Sequence, residues 1–119
     1  MIGRVLIFIA ALYGLTGVAM AAAAAHMGFP PTVGTATVMQ FIHALASLAA
    51  LALLRGRASI LTAIVFRTGT LLFAGALYSS ALLAVSLGPV APTGGVILMV
   101  GWALLGWFGL TRAAMPPLR

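Results

Sequence analysis

The chain predicts an all-α integral membrane protein, an antiparallel bundle of four transmembrane helices with both termini cytoplasmic. Three observations carry that expectation. Of 119 residues, 64% are hydrophobic and 5% charged, with no Asp or Glu at all. The mean hydropathy is +1.26. A soluble domain carries about a quarter charged residues, so this surface is matched to lipid rather than to water. Second, four apolar stretches each approach the ~20 residues needed to cross ~30 Å of hydrocarbon. Third, the arginines are placed asymmetrically around those stretches.

The four spans fall at about residues 5–25, 36–54, 60–87 and 94–111, and together they make a single domain over residues 1–119. The first ends at the turn-forming "HMGFPPTVG", the second at "RGR", the third at "GPVAPTGG" and the fourth before "RAAMPPLR". The N-terminal run has a basic start and an Ala-rich end, the outline of a secretory signal. Its apolar core exceeds the usual ~7–15 residues, so it reads as a retained first span. Arg4, Arg55, Arg57, Arg112 and Arg119 share one side if the chain runs in-out-in-out-in, whereas the two other connections hold no Lys or Arg. The positive-inside rule then makes the termini and the middle loop cytoplasmic.

Composition also excludes chemistry. No cysteine means no disulfide and no thiolate site. No carboxylate side chain removes Ser-His-Asp triads, paired-acid hydrolysis and Mg²⁺ or Ca²⁺ cages. The +6 charge is dispersed along an apolar chain, which suits lipid phosphate and topology rather than nucleic acid. The expectation is no catalysis and no metal, with the cofactor left open.

The polar residues that remain are few. Gln40 and His43 lie three apart, with Ser47 one turn further on the same face. Alternating span directions bring His26, Gln40, His43, Tyr78 and Thr93 toward the outer end of the bundle, as a cluster drawn from all four helices. Two readings stand: hydrogen bonds that lock the bundle, worth ~0.6 kcal/mol each in membranes, or a small outer-face site for a metal, quinone or lipid. Met20, His26, Met27, Met39 and His43 have the ligand types of a copper(I) site but no tight spacing. Small residues supply the packing seams, with Gly14, Gly17, Gly75, Gly95 and Gly106 as the expected helix-packing positions and Gly69 and Gly109 beside them.

Arg67 lies about eight residues into the third span, roughly 12 Å along its axis. Without an internal acid, it is expected first to snorkel toward phospholipid phosphates. It can instead bond Tyr13, Thr16 or backbone carbonyls, or meet a carboxylate on another protein.

The motifs "AAAAAHMG", "MQFIHALASL", "LLFAGALYSSAL" and "APTGGVILMVGW" occur in order. Together they make the chain resemble the small four-helix membrane protein family called domain of unknown function 423, the family of the transmembrane protein 256-like proteins. The resemblance runs from about Val5 to Leu110. It implies a four-span inner-membrane protein without an assigned activity, and places the family's recurrent polar positions at His26, Gln40, His43, Tyr78, Pro92, Gly94 and Gly95. The chain departs from the pattern in its Ala-rich first helix and in Arg67. The resulting expectation is a non-enzymatic accessory or structural subunit of a larger membrane assembly, a respiratory one among the candidates, or a homo-oligomer, with lipids and other membrane subunits as partners. The alternative is a binding or transport module built on the outer-face cluster.

Overall fold

In the computed structural model, residues 1–111 and 113 are described. The expected contributions of Arg112 and Arg119 to topology lie outside them. Four helices follow one another: α1 (Ile2–His26), α2 (Pro31–Leu53), α3 (Gly56–Leu83) and α4 (Val90–Gly109), with no β-strand among the described residues. Each is long and apolar enough to cross a membrane. The molecule measures 47 Å along its longest axis, close to the ~40–45 Å of a bilayer with its headgroups.

All four helices start three to five residues earlier than the sequence reading, and at two of them proline is the reason. α2 begins at Pro31 rather than near Ala36, because proline at the first helical position lacks only an N–H that has no partner there anyway. α4 begins at Val90 and takes Pro92 into its first turn for the same reason. α3 ends at Leu83 rather than near residue 87. Ala84 follows with φ +54, a left-handed conformation that reverses the chain and lets the Val85 amide bond the Ser79 carbonyl.

α2 packs against α1 on one side and α3 on the other, and α3 packs against α4. Among the described residues, no Cα of α1 comes within 8 Å of one in α4. The arrangement is therefore a curved row with α2 and α3 inside, not a closed ring. That corrects the expectation that all four helices meet at one polar cluster. Two flanking helices so exposed leave much of their surface apolar, with Phe8, Leu15, Met99 and Trp107 all outward.

The tightest seam joins α3 to α4. A Cβ on Gly94 would lie 2.5 Å from the Phe73 amide nitrogen, one on Gly69 2.8 Å from the Leu98 side chain, and one on Gly101 2.8 Å from the Phe66 ring. Lipid gives helices no hydrophobic drive to associate, so such close backbone approach provides the attraction. Between α1 and α2, Gly17 does the same work: its Cβ would stand 3.2 Å from the Phe41 ring.

The expected packing glycines are only partly these. Gly17 sits in a seam and Gly95 would make ordinary contact, 3.7 Å from Phe73. Gly14, Gly75 and Gly106 face open space, with nothing within 4 Å of an added Cβ. The stripe is phased differently: Gly94 and Gly101, seven apart, face α3 squarely, Gly95 meets it only at the Phe73 ring, and Gly106 lies off that face.

Candidate functional site

The polar side chains form two separate networks. The first joins α1, α2 and α3 around Gln40. Its Nε2 donates to the Tyr13 carbonyl at 2.6 Å and to Thr16 Oγ1 at 2.8 Å, while Oε1 accepts from the Tyr78 hydroxyl at 2.9 Å. Thr37 Oγ1 stands 3.2 Å from the same hydroxyl. Both amide N–H groups and the carbonyl oxygen of Gln40 are thus used. Thr37 and Gln40 are three apart on α2, and Tyr13 and Thr16 three apart on α1, so each pair shares a face.

The second network joins α2, α3 and α4 around His43. Trp102 Nε1 donates to His43 Nε2 at 3.1 Å, and Nδ1 lies 2.7 Å from the Met39 carbonyl. An indole N–H can only donate, so Nε2 accepts and Nδ1 carries the proton, which it gives to Met39. The ring is neutral and in a defined tautomer. The lone pair that a copper ion would need is already taken, so the methionine-histidine alternative loses its second imidazole. Phe66, fully buried, completes an aromatic group: its ring centroid lies 5.2 Å from Trp102 at 75° and 5.9 Å from His43. Edge-on geometry of that kind is the favoured one for aromatic pairs.

Of the five cluster residues expected from sequence, the structure brings Gln40 and Tyr78 into bonding contact. His43 shares α2 with Gln40 but belongs to the other network. His26 is exposed at the end of α1, and Thr93 is exposed and bonds back to the Pro89 carbonyl of its own first turn. Tyr13 and Thr16, expected as possible partners of Arg67, meet Gln40 instead, and Thr37 and Trp102 are partners that the sequence reading did not assign. Polar residues three apart in an apolar helix were the available signal, and it was applied only to Gln40 and His43.

Beside the Gln40 network lies a cavity of about 270 Å³, lined by Tyr13, Thr16, Met20, Gln40, Leu71 and Tyr78 among others. Further along the same α1–α3 crevice is a second, of about 290 Å³, which contains Arg67. Arg67 does not reach the surface. The residue is 6% exposed, and Nε, Nη1 and Nη2 are buried with no hydrogen-bond partner among the described residues. This corrects the snorkelling expectation. Tyr13 bonds the Arg67 backbone carbonyl, at 3.4 Å, and leaves the guanidinium unmet. The physical reason is position: helix side chains point back toward the helix start, and here that direction runs along the α1–α3 crevice beside Leu6, Ile9 and Ile64.

The fold and site define a small, apolar four-helix protein whose polar groups mostly bond one another inside the row. The chain belongs to the family Protein of unknown function (DUF423), whose family model matches residues 20–95. That span takes in both networks except Trp102, Tyr13 and Thr16. Neither the curated proteins nor the solved structures include a match to this chain.

Proposed function

We propose that this chain is a non-enzymatic accessory or structural subunit of a larger membrane assembly. It would cross the bacterial inner membrane four times as an antiparallel row with both termini in the cytoplasm. One observation carries the reading: the reactive-looking side chains Gln40, His43 and Tyr78 are each hydrogen-bonded to a neighbouring helix, while large apolar side chains are exposed on every helix. Intramembrane polar groups satisfied in this way lock packing and leave the lipid-facing surface as the working part.

The topology is supported by two further contacts. Ile2, Gly56, Arg57 and Phe108 line one depression, and the Arg55 amide bonds the Ala113 carbonyl at 2.7 Å. The chain start, the α2–α3 turn and the end of α4 therefore gather at one end, where Arg4, Arg55 and Arg57 also lie. Basic residues concentrated at one end belong on the cytoplasmic side.

A second reading is favoured by the cavity beside Gln40. A binding module would use Gln40, Tyr13 and Tyr78 as the polar contacts for a quinone-like molecule or a lipid. Native mass spectrometry of protein extracted gently from its own membrane, with cofactor analysis of the same sample, separates the two. Stoichiometric partner subunits without a small ligand are the result expected. A lone chain that retains a ligand, and loses it on Gln40→Leu, would overturn the subunit reading in favour of the binding module.

A further inference from the structure

Arg67 is the one buried side chain whose polar atoms lack partners among the described residues. A full charge in a low-dielectric site is strongly destabilising unless a counter-charge meets it. Arginine also presents a planar fork of N–H donors suited to a carboxylate. The chain has no Asp or Glu, so neither its own side chains nor those of a second copy can supply one.

Depth restricts the source. Arg67 is the twelfth residue of α3, about 16 Å along the axis at 1.5 Å per residue. With Gly56 at the edge of the hydrocarbon, that is near the midplane of a core ~30 Å thick. Phospholipid phosphates lie at the edge, so an anion at this level has to be carried there by a membrane-spanning segment. A cavity of about 290 Å³ is lined in part by Arg67, several times the ~30 Å³ of one water, while the guanidinium nitrogens themselves are sealed beneath the crevice. Thr68 and Leu71 are exposed along its margin, on the lipid-facing side of the α1–α3 crevice.

We propose that Arg67 is the receptor for an Asp or Glu carboxylate on a transmembrane helix of a different membrane protein, docked along the lipid-facing α1–α3 crevice. This rests on the subunit reading above and makes the assembly heteromeric. α1 touches α3 only sparsely, so a small shift of α1 opens the crevice without disturbing the α2–α3–α4 packing.

The test places a photo-crosslinking residue at Leu71 in the full chain, in its own membrane, and sequences the adducts by mass spectrometry. The expected product is a peptide from another membrane protein that contains an intramembrane Asp or Glu. Its yield should fall at least tenfold with Arg67→Met, fall by as much when that acid is made Gln or Asn, and be partly kept with Arg67→Lys. In the purified isolated chain, Arg67→Met should raise the melting temperature, which also establishes that the variant folds. Adducts with lipid or a second copy only, an acid-free partner peptide, an unchanged yield with Arg67→Met, or a lowered melting temperature would each overturn the proposal. A partner captured independently of Arg67 leaves the subunit reading standing and removes this inference. No stoichiometric partner in gently extracted protein removes both.

Discussion

Gln40 is the residue on which α1, α2 and α3 converge, and its replacement tests how much such a group matters in lipid. Three hydrogen bonds go with the side chain, at about 0.6 kcal/mol each on average in membrane proteins. Gln40→Leu should therefore destabilise the protein by about 2 kcal/mol in an unfolding titration, and Tyr78→Phe, which loses the donation to Gln40, by about 0.6 kcal/mol. Equal effects from the two would mean that the network acts through Tyr78 rather than through the amide. The importance of Gln40 and His43 was legible in the sequence, because polar groups in an apolar helix seldom face lipid. Their separation into two networks was not. Three residues along a helix turn the side chain by about 300°, close enough to share a broad face and far enough to address different neighbours. Which neighbours those are depends on where α1 and α4 sit.

At the scale of the helix pair, the glycines sort into those that something touches and those that nothing touches. Gly94→Ala would press a methyl into the backbone of α3, against the Phe73 amide and the Gly69 carbonyl. Backbone cannot rotate away, so a loss of about 3 kcal/mol is expected, at the upper end for overpacking. Gly14→Ala meets open space and should be neutral or stabilising by up to about 1 kcal/mol, since alanine is the better helix former. Thermal melts of the two variants side by side check this, and similar shifts would show that the α3–α4 seam gives way easily. Helix number, type and approximate length were readable from apolar runs and turn residues. The seam was not, because the five glycines of α4 differ only in angular phase, and phase is fixed by the partner surface. Pro31 and Pro92 misled for a related reason: a proline that ends one run also serves as the start of the next.

For the whole molecule, the open question of direction has a clean assay, because there is no native cysteine. Ser86→Cys and Thr111→Cys both place a thiol at an exposed position, at opposite ends of α4. In intact cells, a membrane-impermeant maleimide should label Ser86→Cys and spare Thr111→Cys until the membrane is broken. The reverse pattern would invert the topology and place Arg4, Arg55 and Arg57 on the outside. Membrane character was evident from composition alone, whereas the row-like arrangement was not. Short connections constrain which helices are neighbours, but they leave a ring and a row equally available. Among the described residues, the absence of contact between α1 and α4, with the burial of α2 and α3, decides between them.

Because α1 rests mainly on α2 through the Gly17 contact and the Gln40 bonds, the chain is divisible there. A fragment ending at Gly28, in the α1–α2 turn, and another carrying the remaining residues should reassemble when co-expressed, with Gln40 as the clasp. The weaker Gln40→Leu clasp should fail first in that two-piece form. During synthesis α1 enters the bilayer before α2 exists, so for that interval it is a solitary apolar rod with Tyr13 and Thr16 unanswered. The first helix made therefore waits for α2 before its polar groups are met, and it then lies along the crevice that Arg67 lines.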